Sequence, residues 1–308
     1  MDGVILNDTS EMEFYILAFS TSENGRIVLL LAIVLTYLLI LSGNLIIIVL
    51  VCLVSQLHTS MYFFLCNLSI LDIFYVSTTL PKLLYITYTG DHAVSYIASI
   101  TQLCLFLFFA DVEIFLLTTM AFDRYVAICF PLHYWLIMSK RVCALLAFPA
   151  WFIAAINALI FTWFAIGLRF SHSIEVNNFL CELKALLIIS SSDTTFLKKC
   201  IMFDAVLVGF APLTLILTSY GCIISTILKI QSLVGRRKAF SSCTSHLTVV
   251  VLYFSSAITL YVQYSQEQDK LLSVMFATLS PMLNPLVYSL RNKDIRRAMA
   301  TVFHGKKS

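Results

Sequence analysis

Seven long apolar runs, separated by short polar stretches, divide this chain. Apolar residues follow one another within each run instead of alternating with polar ones, and each run reaches the roughly 20 residues that a helix needs to cross hydrocarbon. Because lipid admits only helices or closed barrels, and barrel strands would alternate, the pattern predicts an all-α membrane protein with seven transmembrane helices. The runs cover residues 27–53, 61–85, 96–128, 142–166, 197–228, 240–264 and 271–290.

The composition agrees with this pattern. Hydrophobic residues make up 60% of the 308 residues and charged residues only 12%. A mean hydropathy of +0.91 is that of an integral membrane protein. The net charge of +3 is small, so we expect the lipid bilayer, and no nucleic acid, as a partner of the surface.

The placement of the basic residues predicts the orientation. An odd number of spans puts the two termini on opposite sides of the membrane, and lysine and arginine concentrate on the cytoplasmic side. Thirteen of the twenty basic residues fall in the loops after the first, third and fifth spans or in the C-terminal tail. They are Arg124, Lys140, Arg141, Lys229, Arg236, Arg237, Lys238, Arg291, Lys293, Arg296, Arg297, Lys306 and Lys307. The C-terminus is therefore expected in the cytoplasm and the N-terminus outside.

This orientation gives three predicted parts. Residues 1–25 form an extracellular N-terminus, residues 26–290 the bundle, and residues 291–308 a cytoplasmic helix and tail. The longest loop, about 167–196, is then extracellular. The N-terminus has no basic segment followed by an apolar one, which a cleaved signal peptide needs. Asn7 begins a glycosylation sequon on the outer side.

The tail is predicted to form a short amphipathic eighth helix on the inner leaflet. Arg296 and Arg297 lie off its apolar stripe. The stripe contains Ile295, Met299, Val302 and Phe303.

Patterns typical of enzymes and metal sites are missing from the sequence. It has no HExxH motif, no glycine-rich phosphate loop, no GxSxG, and no Cys or His cluster at metal-ligand spacing. We therefore expect no enzymatic activity, no bound metal of that kind and no organic cofactor. His58, His133 and His246 fall near the cytoplasmic ends of spans, where a solvated or capping histidine is expected.

Two sets of ionisable and polar residues interrupt the apolar runs. Asp123 and Arg124 end the third run, where Arg124 is either an interfacial anchor reaching the headgroups or part of a switch. The second set lies at compatible depths in four spans, and we expect one hydrogen-bonded network around water or a sodium ion, serving as a switch or as structural glue between helices. This set comprises Asn44, Asp72, Glu113, Ser280 and Asn284.

Several long motifs, in order, carry a resemblance. They are Gly43-Asn44, residues 57–69 (LHTSMYFFLCNLS), residues 120–134 (MAFDRYVAICFPLHY), Ser219-Tyr220, residues 238–248 (KAFSSCTSHLT) and residues 281–292 (PMLNPLVYSLRN). Together they resemble the odorant receptors, in the tetrapod-type class II branch of the class A (rhodopsin-like) G-protein-coupled receptors. The resemblance implies a plasma-membrane receptor that binds a small, volatile odorant and activates a stimulatory heterotrimeric G-protein, which raises cAMP.

The resemblance also implies residue roles. Asp123 would hold Arg124 at rest, Tyr220 would approach Arg124 on activation, and Pro285 would let the seventh helix bend. The implied coupling and switch residues are Asp123, Arg124, Tyr125, Tyr220, Lys238, Asn284, Pro285 and Tyr288. The implied polar core comprises Asn44, Asp72, Glu113 and Asn284.

The implied ligand pocket lies in the outer half of the third, fifth, sixth and seventh spans. Its residues are Leu103, Phe106, Leu107, Ala110, Asp111, Asp204, Val208, Ala257, Ile258, Tyr261 and Val274. Relatives mostly have small or apolar groups where Asp111 and Asp204 stand. Two hypotheses remain open for these acids: they clamp an amine or another cation, or each is protonated or bonded to a neighbouring hydroxyl.

Some positions depart from the family pattern. Ser60 stands where proline is typical, and Phe122 and Phe254 where tyrosine is typical. Family half-cystines are replaced by serine at Ser99, Ser171 and Ser191, while Cys181 remains. Two states of the Cys181 thiol remain open, a bridge to Cys104 and a free thiol.

Two alternatives to an odorant receptor are a chemosensor of the same family that acts outside olfaction, and a transporter or channel. A transporter would be expected to show repeat symmetry between its halves, and none is visible.

Overall fold

Long apolar helices make up most of the chain in a computed structural model, which describes residues 13–17, 19, 22–170, 175–262, 266–291 and 293–303. Among these residues, six helices are long and apolar enough to cross a membrane. They are the spans Glu23–Leu53, Ser60–Thr89, Tyr96–Cys129, Lys140–Ile166, Thr195–Leu228 and Leu233–Val262. The seventh span, Gln266–Arg291, has a shorter apolar stretch, Leu272–Tyr288. The predicted seven-helix bundle is confirmed.

Polar caps set several helix ends beyond the apolar runs. Ser22, Ser95 and Ser139 precede the first, third and fourth spans, and each side chain accepts a hydrogen bond from a backbone N–H of the first turn. Such caps satisfy donors that have no partner inside the helix. The second span ends at Gly90, whose φ of 74° is the left-handed conformation that glycine adopts without strain.

The third span lies at the centre of the bundle. It packs against the second, fourth, fifth and sixth spans, whereas the seventh packs against the first, second and sixth. The third span carries buried side chains from Ser99 at its outer end to Val126 at its inner end. It therefore connects the two ends of the bundle through one rigid element.

The eighth helix follows the seventh span as Lys293–Phe303. Ile295 is buried, while Arg296 and Arg297 are exposed. The helix lies against the first span and the short turn Ser55–Leu57. Val302 is 40% exposed, as a side chain that faces lipid would be, and the side chain of Phe303 is outside the described part.

A small sheet beside the start of the third span was not predicted. The strand β1 (Glu13–Ile16) pairs antiparallel with β2 (Ala93–Ser95) and parallel with β3 (Glu175–Val176). Phe14 and Ile16 are buried while Glu13 and Tyr15 are exposed, so the strand has period two over only four residues. Such a short alternation inside an acidic terminus gives little signal, and the all-α prediction omitted it.

The long loop of about 167–196 folds back onto the bundle. It contains the helix Leu183–Ile189 and buries Phe179, Leu180 and Cys181 completely. The backbone N–H of Cys181 donates to Gln102 Oε1 of the third span at 3.3 Å. The loop thus covers the outer end of the third span.

Candidate functional site

A buried carboxylate lies at the inner end of the third span. Arg124 Nε donates to Asp123 Oδ2 at 3.1 Å, and the terminal guanidinium nitrogen Nη2 contacts the same oxygen. The other oxygen, Oδ1, accepts from the Ser60 hydroxyl at 2.5 Å and from the Tyr134 hydroxyl at 2.9 Å. Asp123 is fully buried, and a buried charge is tolerated only when it is paired and hydrogen-bonded in this way. Arg124 is therefore held by Asp123 and not extended to the headgroups.

Beside this pair, His246 joins three spans. Its Nε2 lies 3.0 Å from the carbonyl oxygen of Leu117, and its Nδ1 lies 2.7 Å from the hydroxyl of Tyr220. Because a carbonyl only accepts, Nε2 carries the hydrogen, and Nδ1 of the neutral ring accepts from Tyr220. The prediction of a solvated or capping histidine was wrong, since His246 is 1% exposed. The signal was present, because His246 falls at helical spacing between the buried residues Cys243 and Val250.

The intramembrane polar residues come together in two contacts. Asn284 Nδ2 donates to Asp72 Oδ2 at 2.9 Å, linking the seventh and second spans. The Ser280 hydroxyl donates to Glu113 Oε1, linking the seventh and third spans. All four side chains are buried.

The first span joins the same region through its amide. Asn44 Nδ2 donates to the carbonyl oxygen of Pro281 at 3.1 Å. At Gly43, a Cβ atom would meet the ring of Pro285 at 3.0 Å, so glycine permits the close approach of the first and seventh spans. Four buried oxygens of this core have no hydrogen-bond partner among the described residues. They are Asn44 Oδ1, Asp72 Oδ1, Glu113 Oε2 and Asn284 Oδ1.

The remaining coupling residues lie around this inner half. Tyr288 is fully buried in the seventh span, near both proline residues of that helix. Tyr125 is partly buried and packs edge-on against Phe130 at 5.6 Å between ring centroids. Lys238 lies in the helix of the sixth span, but its side chain is outside the described part.

In the outer half, the predicted ligand residues lie around an aromatic cluster. Phe106 and Tyr253 each pack against Phe276, with centroids 6.2 Å and 5.5 Å apart. The Tyr253 hydroxyl donates to the carbonyl oxygen of Ala110 at 3.0 Å, joining the sixth span to the third. Other members of the predicted set are buried or partly buried: Leu103, Leu107, Val208, Ala257 and Val274.

One member of the predicted ligand set differs. Ile258 is 47% exposed and lies at helical spacing from the exposed Val251 and Ser255, on the outer surface of the sixth span. Its placement in the pocket was wrong by a rotation of that helix. The side chain of Tyr261 is outside the described residues, and so is Asn7.

Asp111 and Asp204 share one amide instead of facing each other across a gap. Asn157 Nδ2 of the fourth span donates to Asp111 Oδ2 at 2.8 Å, and the same side chain interacts with the carboxylate of Asp204. A neighbouring hydroxyl was one of the predicted possibilities for these acids, and the observed partner of Asp111 is a carboxamide. Asn157 and Asp204 also line a cavity of about 370 Å³ between the fourth and fifth spans.

A turn of π-helix follows Asp204. It covers Ala205–Phe210 and precedes Pro212, whose ring cannot continue a regular hydrogen-bond ladder. The wider turn shifts the rotation of Asp204 relative to the lower half of the fifth span. This explains why Asp204 lies beside the fourth span.

All nine cysteines lie in the described part of the chain and are free thiols. The bridge between Cys104 and Cys181 is therefore not formed. The Cys181 thiol lies near Ser99 instead, five residues before Cys104 on the third span, and the Ser99 hydroxyl has no hydrogen-bond partner among the described residues. Burial raises the pKa of the Cys181 thiol to about 11.

Known proteins resemble the chain along nearly its whole length. The family model for the olfactory receptor matches residues 33–306. Olfactory receptor 7A10 of Homo sapiens is 42% identical over 97% of this chain and 98% of its own. Olfactory receptor 2A7 of Mus musculus is 42% identical over 98% of this chain and 99% of its own.

The fold is also found in a solved receptor. A crystal structure of squid rhodopsin superimposes with a TM-score of 0.68 and 19% identity, covering 93% of this chain and 87% of the rhodopsin chain. At this identity the likeness shows the seven-helix fold alone. The family model and the relatives show more: this chain belongs to the olfactory receptor family.

Proposed function

We propose that this protein is an odorant receptor of the plasma membrane that binds a small ligand in its outer half and activates a stimulatory heterotrimeric G-protein, raising cAMP. The observation that carries the proposal is the buried Asp123, which holds Arg124 at the cytoplasmic end of the central span. The same helix carries Phe106 and Ala110 at the level of the aromatic cluster. A ligand that prefers one arrangement of this helix shifts the population of the receptor.

In the proposed resting state, two contacts keep the inner side closed. Asp123 holds Arg124, and His246 holds the hydroxyl of Tyr220. On activation Arg124 leaves Asp123, and Tyr220 exchanges His246 for Arg124. Tyr125 and Lys238 then form part of the surface that the G-protein contacts, while Pro285 and Tyr288 allow the inner end of the seventh span to bend.

The polar core between the second, third and seventh spans is proposed to hold the resting arrangement. Its unpartnered atoms are carboxylate and amide oxygens, which are hard donors suited to a sodium ion or to ordered water. Asp72 and Glu113 would supply negative charge, while Asn44 and Asn284 would supply neutral oxygens. The core then couples the seventh span to the third.

A basic amine is the proposed class of ligand. Asp111 and Asp204 both lie beside Asn157, and an amide neutralises neither charge. Two carboxylates at this depth are costly unless a cation joins them or they are protonated. Lys199 lines the same cavity as Asp204 but is exposed, so water screens its charge more than that of a buried group.

The orientation is part of the proposal. The N-terminus, with Asn7 glycosylated, and the loop of about 167–196 are extracellular. The eighth helix, Lys293–Phe303, lies on the inner leaflet.

A cAMP reporter in cells, with an odorant panel that includes amines, tests the proposal. We expect agonist-dependent cAMP that Arg124→Ala abolishes at equal surface expression. We also expect amine responses to be lost on Asp111→Asn and Asp204→Asn. If amine responses survive both substitutions, amines are the wrong class of ligand. An ionic current without a rise in cAMP would show that the protein is a channel and not a receptor.

A further inference from the structure

A cleft between the fourth and fifth spans opens towards the membrane. Its volume is about 370 Å³, within the range of small-molecule sites. Ile160, Phe203 and Leu207 form its outer rim and are 47%, 66% and 52% exposed. Phe161 forms its inner wall and is 5% exposed. The cleft therefore runs from the lipid-facing surface into the bundle between two transmembrane helices.

Polar groups lie at one side of this apolar cleft. Asp204 and Asn157 both line it, and Asn157 connects it to Asp111, which is 8% exposed. Because the amide nitrogen of Asn157 donates to a carboxylate, its oxygen is left as an acceptor. The carboxylate of Asp204 and this amide oxygen can together accept the N–H groups of a primary ammonium.

Positive charge lies at the extracellular mouth of the cleft. Lys199 lines it, and the adjacent Lys198 is also exposed. Five residues of helical rise, about 7.5 Å, separate Lys199 from Asp204 along the fifth span. These lysines repel a cation that approaches from extracellular water, whereas the rim of Ile160 and Leu207 has no charge.

We propose that this cleft is a binding site for an amphiphilic amine that enters from the outer leaflet. The ammonium contacts Asp204 and the oxygen of Asn157, and the alkyl chain lies along Ile160, Phe203 and Leu207. The inference rests on the proposed amine recognition and adds the position and the route of the ligand. It places the ligand against the outer side of Asp204, beside the fourth span, and not only among the third, sixth and seventh spans.

The cleft contains a natural reporter of occupancy. Cys200 lines it and is partly exposed. Cys222 lies on the same span, is exposed and is not among the lining residues of the cleft. An occupant should slow the reaction of Cys200 with a thiol reagent and leave Cys222 unchanged, so the second cysteine is an internal control.

The experiment measures the labelling rates of both cysteines in the full-length receptor in membranes. N-phenylmaleimide is the reagent, peptide mass spectrometry is the readout, and octylamine is compared with 1-octanol. At about ten times its half-protecting concentration, octylamine should slow labelling of Cys200 about tenfold, as mass action requires. Octanol should protect weakly, and Asp204→Asn should remove the protection by octylamine.

A second variant covers the case in which Asp204→Asn does not fold. Leu207→Trp fills the cleft at its rim, so Cys200 should label slowly without amine and gain no further protection from it. Leu215→Trp, a similarly exposed position lower on the same span, is the matched control and should behave as the unmodified receptor. Equal protection by octanol and octylamine, protection that survives Asp204→Asn, or no protection by octylamine would each overturn the site.

Measuring cAMP in the same cells separates the two proposals. Amine-evoked cAMP without protection of Cys200 overturns the cleft and leaves the proposed receptor function intact. Protection of Cys200 without cAMP supports the cleft and counts against the proposed signalling.

Discussion

The Ser60 hydroxyl donates to Asp123 Oδ1 at 2.5 Å, from a position where proline is typical of odorant receptors. Proline has no side-chain donor, so a chain with proline at this position could not form this hydrogen bond. Tyr134 donates to the same oxygen at 2.9 Å, while Arg124 occupies the other. The carboxylate that restrains Arg124 is therefore fixed by three side chains.

Removing this donor should raise basal signalling. A hydrogen bond to a charged group contributes about 1.5–3 kcal/mol, and about 1.4 kcal/mol is a tenfold change in an equilibrium. If the bond exists only in the resting state, Ser60→Ala should raise ligand-independent cAMP by about tenfold or more, until the active state saturates. Ser60→Pro should do the same without breaking the helix, because Ser60 is its first residue, where proline is accepted.

The control for this prediction is Ser42→Ala. Ser42 is exposed, and its hydroxyl donates to Leu38 O of its own helix at 2.7 Å. Basal cAMP, normalised to receptor at the cell surface, should stay unchanged in this variant. Basal cAMP at the level of the unmodified receptor in both Ser60 variants would show that the bond is made equally in both states.

Restoring the family cysteine should restore a disulfide. The Cys181 thiol lies near the Ser99 hydroxyl, and both side chains are fully buried. Ser99→Cys should form a bridge to Cys181, seen by non-reducing peptide mapping, and stabilise the receptor by about 2–4 kcal/mol. Thr101→Cys, on the exposed side of the same turn, should leave Cys181 free. A free thiol at residue 181 in surface-exposed Ser99→Cys receptor would contradict this geometry.

The reactivity of Cys181 should depend on pH in a defined direction. Burial raises the pKa of its thiol to about 11, and the thiolate is the reacting form. Alkylation should therefore be slow at neutral pH and rise about tenfold per pH unit until the pH nears that pKa. By linkage, the native state binds this proton more tightly than the unfolded chain, so stability is constant below the ordinary thiol pKa and falls as pH rises from there to about 11. A rate that levels off near pH 8 would mean that the loop is open.

Hydrophobic patterning and backbone geometry explain which features could be predicted from the sequence. The seven spans follow from long apolar runs, because lipid forces the backbone of any such run into a helix. The position of Asp204 could not follow from that pattern, since the π-turn at Ala205–Phe210 changes the rotation of the helix without changing its hydrophobicity. Strand β1 was missed because four residues carry too little periodicity.

His246 was missed for a different reason. Its burial stripe, with Cys243 and Val250, is visible in the sequence, but its partners come from two other spans. Only the packing of the third span against the fifth and sixth brings Leu117 and Tyr220 to the two ring nitrogens. The burial of His246 could therefore be predicted from the sequence, but its hydrogen bonds to two other spans could not.

The last prediction separates the resting from the active role of Tyr220. His246→Phe removes the nearer acceptor of the Tyr220 hydroxyl at rest, leaves only the longer contact of 3.4 Å to the carbonyl oxygen of Cys243, and makes that hydroxyl available for Arg124. A neutral hydrogen bond is worth about 0.5–1.5 kcal/mol, so basal cAMP should rise about twofold to tenfold. Tyr220→Phe loses the hydroxyl in both states and should lower the maximal response to agonist instead.

A third variant tests whether the changes in cAMP arise from misfolding of the receptor. His246→Gln keeps a donor for the carbonyl of Leu117, which His246 Nε2 contacts at 3.0 Å. It should reach the cell surface as the unmodified receptor does and show basal cAMP between that receptor and His246→Phe. If His246→Phe and Tyr220→Phe changed basal and maximal cAMP in the same direction, Tyr220 would act in one state only, and the proposed exchange of His246 for Arg124 would be wrong. Opposite directions require that the hydroxyl of Tyr220 has one partner at rest and another in the active receptor.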